Sequence, residues 1–179
     1  MFYEKLFTDS KAIILQRMNE AKGSLRVHLG CGGRILPGWV NIDISSEGGA
    51  DMVCDLTKGI PLPDLKTDLI YSRDFLEHLD RFQVKNIMNE CHRILKPGGA
   101  AVHEVPEVTL NNPIAFQDPT HVSFWTRGTA FYWMEKHKSD RWFKYGRHYG
   151  YLPFKVVLSD VLKNKKKLPT GWIRMRFVK

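Results

Sequence analysis

Cysteine is scarce in this chain: Cys31, Cys54 and Cys91 are the only three, and no two of them form a Cys-x-x-Cys pair. That excludes a disulfide framework and points to a reducing, cytoplasmic setting. The seven histidines include no His-Glu-x-x-His spacing, so no metal is expected from the pattern. No apolar run approaches the roughly 20 residues that span a bilayer. The start, Met1-Phe2-Tyr3-Glu4-Lys5, has no basic segment followed by an apolar core, and no signal peptide is expected. Internal repeats, low-complexity tracts and linkers are also missing. The 179 residues, 43% of them hydrophobic, therefore read as a single domain, 1–179, with a core of its own.

Acidic residues run short in the second half. Residues 1–90 hold 11 Lys and Arg against 13 Asp and Glu, whereas residues 91–179 hold 16 against 6. The net charge of +8 therefore sits almost wholly after Trp133. A basic surface concentrates anionic partners. A solvated face with a lysine-rich turn at Lys163–Lys167 is the plainer explanation.

What the chain does have is a strand that ends in glycine. Leu25, Val27 and Leu29 alternate, and Gly30-Cys31-Gly32-Gly33 follows at once. Glycine reaches positive φ and lets a ligand press on the backbone. A strand entering such a turn is how doubly wound sheets seat a nucleotide-like ligand at their carboxyl edge. Val40-Asn41-Ile42-Asp43 reads as a second strand whose terminal acid can take both hydroxyls of a ribose. The competing reading is a tight turn and a surface aspartate. Arg34 to Trp39 leaves room for about one helical turn, too little for the crossover helix of a dinucleotide site.

The remaining elements follow a βα rhythm. Thr8-Asp9-Ser10 offers caps for a short helix ending before Gly23. Asp51–Leu56 and Asp68–Ser72 read as strands. Asp80 with Gln83 makes a capping box for a helix from Arg81 to about Leu95, whose apolar stripe takes Cys91 into the core. Lys96-Pro97-Gly98-Gly99 stops it, and Ala100–Val105 is the next strand. Thr126 caps a helix through Trp133. Lys155–Ser159 and Ile173–Val178 close the chain as an antiparallel pair. Between strand and helix, Pro106–Trp125 is a long aperiodic loop whose aromatic residues favour order and function.

Val27-His28-Leu29-Gly30-Cys31-Gly32, Asp43, Asp55-Leu56, Ser72–Leu79 and Leu95-Lys96-Pro97-Gly98-Gly99 occur in that order. The series resembles the class I S-adenosylmethionine-dependent methyltransferases. Leu29 through Asp43 is similar to small bacterial and phage members with a Leu-Gly-Cys-Gly…Leu-Pro-Gly-Trp-x-Asn-x-Asp pattern. Arg26 and His28 depart from the apolar strand expected there. The resemblance implies an α/β fold: a doubly wound, Rossmann-like seven-strand sheet, mostly parallel with an antiparallel terminal strand. It implies S-adenosylmethionine as cofactor. Gly30, Cys31 and Gly32 would cradle its methionyl part, whose carboxylate suits backbone amides. Asp43 would take the ribose, Asp55 the adenine amino group and Leu56 the ring face. Ser72 and Arg73 would line the methionyl end.

Methyl transfer asks mainly for alignment, and for a base where the acceptor is a hydroxyl. His121 with Asp118, in the long loop, is the expected base pair, and His78 is the other candidate. Phe124, Trp125 and Trp133 could wall an acceptor pocket, or pack the core. A small-molecule acceptor, anionic or sugar-linked, is the leading expectation. Two alternatives stand beside it: a nucleic-acid methyltransferase or binder using the basic C-terminal region, and a non-catalytic cofactor-binding module. Ser72-Arg73-Asp74-Phe75 differs from the Asp-Pro-Pro-Tyr type of amino-methylating DNA enzymes, which disfavours the first.

Overall fold

A computed structural model describes residues 12–109, 112–136, 140–163 and 169–179. Residues 12–20 are helical (α1). Strands β1 (Arg26–Leu29), β2 (Val40–Asp43), β3 (Met52–Val53) and β4 (Thr67–Arg73) follow. Then come α2 (Arg81–Ile94), β5 (Leu95–Pro106), the short α3 (Ile114–Gln117), α4 (Asp140–His148), β6 (Val156–Lys163) and β7 (Pro169–Val178). The seven strands form one sheet in the order β3-β2-β1-β4-β5-β7-β6.

The pairs β1–β2, β2–β3, β1–β4 and β4–β5 are parallel, and β7 is antiparallel to both β5 and β6. The antiparallel strand is thus last in sequence but penultimate in space, and β6 forms the edge. The order reverses between β1 and β4, and in a doubly wound sheet the carboxyl edge at that reversal is where a ligand binds.

Local sequence accounts for the elements that aim the site. Asp80 Oδ1 accepts from the Phe82 and Gln83 amides at 2.8 and 2.9 Å, and Gln83 Oε1 accepts from the Asp80 amide at 2.9 Å. This reciprocal cap starts α2, which buries Val84, Ile87, Met88, Cys91 and Ile94. Burial drives the Cys91 thiol far up, in keeping with a packing role. Leu95 opens β5 rather than closing the helix. The Gly98 and Gly99 peptides pair with Lys179, so the expected stop is already sheet.

No helix follows β1. The chain from Cys31 to Trp39 is a set of turns, held by Asn41. The Asn41 carboxamide accepts from the Leu36 amide at 2.9 Å and donates to the Leu36 and Trp39 carbonyls, each at 3.1 Å. Asp51 takes the Asn41 amide at 2.8 Å and its side chain at 2.9 Å, and is itself paired with Arg17 on α1. That hub also explains the polar strand residues. His28 is buried 3.3 Å from Asn41 Oδ1 and lies against Tyr71, and burial keeps its imidazole neutral-leaning. Arg26 lies over the Trp39 ring.

Two sequence readings are decided here, and others fall on residues that are not described. Trp125 and Trp133 are core residues: Trp133 stacks on Tyr151 at 4.5 Å, with Trp125 behind it at 6.1 Å. The element after Thr126 is a 3₁₀ helix, Arg127–Trp133, and not α. The proposed caps at Thr8–Ser10 and most of the Lys163–Lys167 turn lie outside the described residues.

Candidate active site

The carboxyl ends of β1, β2 and β4 enclose a cavity of about 410 Å³. Gly30 and Gly32 take φ of +60° and +50° on its floor. A Cβ at Gly30 would sit 2.4 Å from the Phe75 ring, whereas one at Gly32 would meet nothing within 4 Å. One glycine is therefore required by packing, and the other leaves its backbone open to a ligand. Asp43 at the end of β2 binds the turn: its Oδ2 accepts from the Gly32 amide at 2.8 Å and its Oδ1 from the Ser45 amide at 2.9 Å.

Of the expected cofactor residues, Gly30, Gly32, Asp43, Asp55 and Leu56 line this cavity. Asp55 Oδ1 also accepts from the Thr57 hydroxyl and amide at 2.6 and 3.0 Å, and the Thr57 hydroxyl is first among the groups that hold this carboxyl below its usual range. It caps the short turn that positions Leu56.

Cys31, Ser72 and Arg73 do not border the cavity. Cys31 is buried, with its thiol pushed up to about 11 by burial, so only its backbone belongs to the turn. The Ser72 hydroxyl turns into the sheet and bonds His103 Nδ1 at 2.8 Å. Burial drives that imidazole down to about 3, so it is neutral. Arg73 lies over Trp172 and beside Asp74.

The wall includes residues that sequence reasoning missed: Ile44, Asp74 and Phe75, together with the alternative base His78. Ile44 is 71% exposed and, like Leu56, offers an apolar face to the cavity. An apolar residue directly after a strand-end acid is a signal that could have found it. Asp74 holds φ of +53°, a conformation that aspartate tolerates better than most. Its carboxylate accepts from Trp172 Nε1 at 2.7 Å and from Arg34 at 3.2 Å, tying β7 and the glycine turn to the end of β4. A slightly larger hollow of about 440 Å³ beside α2, bordered by Asn86, Glu90 and Arg93, lacks the glycine turn of β1 and the acid that ends β2, and its Glu90 is already paired with Arg93.

Beyond His78 the long loop folds back. The Val122 and Ser123 amides both donate to the Glu77 carbonyl, at 2.8 and 3.0 Å. This brings His121 edge-on to His78, ring centroids 4.9 Å apart. His121 Nδ1 sits 2.9 Å from the Ala115 carbonyl and must donate to it, which leaves Nε2 with a free lone pair. Asp118 does not orient this ring as expected: its carboxylate is 3.9 Å away and instead binds the Thr120 amide and hydroxyl at 2.8 and 2.6 Å. Thr120 Oγ1, its proton committed to Asp118, accepts from His78 Nδ1 at 3.0 Å. Both imidazoles therefore present Nε2 as acceptors.

Glu77 completes the cluster. It is 1% exposed, and neither carboxylate oxygen has a hydrogen-bond partner. Burial pushes it up to about 7; the charge of Asp74 adds to this, and the Glu77 and Phe75 amides lean the other way without completing a bond. Asp74, Asp118, His78 and His121 are the charged and titratable groups around it. A carboxyl that holds its proton more tightly when folded stabilises the fold fully below its ordinary value of 4.5, and that contribution is lost as pH rises to about 7. Glu77→Gln should therefore raise the unfolding free energy by about 2–3 kcal/mol at pH 8 and change little at pH 4. Urea melts at the two pH values check this.

Residues 27–103 match the family described as the methyltransferase domain. The match runs from β1 into β5, the segment that builds the cavity. Solved structures share the fold. A SAM-dependent methyltransferase from Archaeoglobus fulgidus has 19% identity and a TM-score of 0.63 over 99% of this chain and 98% of its own. A possible histamine N-methyltransferase from Thermotoga maritima has 16% identity and a TM-score of 0.53 over 99% and 94%. Phosphoethanolamine N-methyltransferase 2 of Haemonchus contortus, solved with S-adenosyl-L-methionine, has 14% identity and a TM-score of 0.54 over 96% and 52%. No curated protein matches the sequence. Among the described residues, no helix is long and apolar enough to cross a membrane.

The cavity has the size and lining to fit S-adenosylmethionine. Its volume lies within the range of small-ligand pockets. The open face of Gly32, the Asp43 carboxylate and the side chains of Ile44 and Leu56 supply room for close approach, an acceptor for diols and apolar surface for a ring.

Proposed function

We propose that the chain transfers a methyl group from S-adenosylmethionine to a hydroxyl of a small molecule, a sugar being the foremost class. Leu29 through Asp43 is assigned to the small bacterial and phage type. In this reading Gly30 and Gly32 carry the methionyl end, Asp43 the ribose, Asp55 the adenine amino group, and Ile44 and Leu56 the ring. Bound there, S-adenosylmethionine supplies a methyl already activated on a sulfonium. His121, with its Nε2 free, takes the proton of the acceptor hydroxyl. His78, on the cavity wall, joins the cofactor site to that base. Asp118 acts one step back, through Thr120 and His78.

The observation that carries the proposal is this meeting of two histidine lone pairs at the rim of the cofactor cavity. Phe116 and Phe124 stack at 4.8 Å and stand 59% and 49% exposed on the same loop, an apolar shelf for a compact acceptor. The nucleic-acid reading has less behind it, because Arg174 on β7 is already paired with Glu104. The deciding experiment offers labelled cofactor with sugars, other small alcohols and RNA or DNA. Label on a small hydroxyl supports the proposal; label on nucleic acid alone, or on nothing, contradicts it.

Asp43→Ala should weaken cofactor binding by about 1.5–3 kcal/mol, tenfold or more, while the domain stays folded. Calorimetry with S-adenosylhomocysteine measures it, and unchanged affinity would move the ribose elsewhere.

A further inference from the structure

We infer that Glu77, His78 and His121 form a binding site for one divalent transition-metal ion. The inference rests on the reading of this edge as the acceptor side of the methyltransferase site. One ligand atom from each residue lies within 4.8 Å of the other two. Bonds of about 2.1 Å set octahedral ligand atoms about 3 Å apart, so loading would draw the three side chains inward.

Three separate features prepare the site. Both oxygens of Glu77 are buried without a partner, a costly arrangement that a cation would relieve. The outer nitrogen of each imidazole is engaged: His121 Nδ1 with the Ala115 carbonyl, and His78 Nδ1 with Thr120, which is bound in turn to Asp118. Outer contacts of this kind fix the tautomer and orient a metal-binding histidine. Asp74 and Asp118 both act on the Glu77 carboxyl as neighbouring negative charges, so the local field favours a cation.

Two imidazoles and one carboxylate suit Mn²⁺, Fe²⁺, Co²⁺ or Zn²⁺ better than Mg²⁺ or Ca²⁺, which prefer oxygen throughout. Three protein ligands leave positions free for water and for the acceptor. Without the ion, His121 takes the acceptor proton as proposed above; with the ion bound, an acceptor hydroxyl on it would have its pKa lowered and would give its proton to water, with His121 serving as a ligand. Ligands contributed by residues 77, 78 and 121 form no short sequence pattern, which is why spacing alone predicts no metal.

The test uses the full chain, freed of metal by chelation and titrated with Co²⁺, read by visible absorption and by metal content after dialysis. Wild type should bind one Co²⁺ per chain with d–d bands of a nitrogen–oxygen site. Glu77→Gln, which keeps the shape and removes the charge, should lower affinity 100-fold or more. Thr120→Val should lower it about 10- to 100-fold through His78 alone. No stoichiometric binding by wild type, or binding indifferent to Glu77→Gln, overturns the inference. Calorimetry with S-adenosylhomocysteine on the same metal-free samples separates the two readings. Cofactor binding without Co²⁺ binding leaves the methyltransferase site standing and removes only the metal.

Discussion

In His121→Ala, turnover on the true acceptor falls by about 10²–10⁴-fold while affinity for S-adenosylhomocysteine stays as in wild type. The range is that of a group placed to handle a proton. The separation follows from position. His121 does not border the cofactor cavity; it touches His78, which does. Its removal leaves the glycine turn, Asp43 and Leu56 unaltered. The ring is held by the Ala115 carbonyl and is only 8% exposed, so its deletion also leaves a small void, worth about 1–2 kcal/mol of stability and not a loss of fold. Steady-state rates beside a cofactor titration decide the matter. Wild-type turnover would make His121 a packing residue.

Gly30→Ala should do severe damage at the chain's cofactor edge. The new carbon would lie 2.4 Å from Cδ2 and 2.6 Å from Cγ of Phe75, at φ of +60°. Left-handed strain of about 1–2 kcal/mol adds to overpacking of about 1–3 kcal/mol. Loss of about 2–5 kcal/mol, with cofactor binding abolished or nearly so, is expected. Gly33→Ala is the control: nothing lies within 4 Å of that Cβ and its φ is not positive. Phe75→Ala added to Gly30→Ala should recover the packing part and not the backbone part. Denaturant melts of the four proteins measure both, and equal stability of the Gly30 and Gly33 variants would refute the close contact.

The elements that shape the cavity were readable because their determinants are local. A glycine turn after a strand, an acid closing the next strand and a capping box at Asp80 each declare themselves within a few residues. The histidine cluster was not, because it depends on tertiary pairing. His78 and His121 meet only because the loop amides of Val122 and Ser123 bond back to Glu77. Ser72 was misread for a related reason. It sits opposite His103 in the β4–β5 register, and that pairing turns its hydroxyl away from the cavity. The same limit hid the place of β7, whose alternation marks a strand but not its insertion between β5 and β6.

The central claim is that the carboxyl edge at β1, β2 and β4 holds S-adenosylmethionine with its reactive end toward the histidine cluster. A crystal structure of the full chain with S-adenosylhomocysteine tests it most directly. The account predicts the ribose hydroxyls on Asp43, the adenine between Ile44 and Leu56, and the sulfur facing His78. Ligand density in the hollow beside Asn86 and Arg93, or a sulfur turned away from His78 and His121, would contradict it.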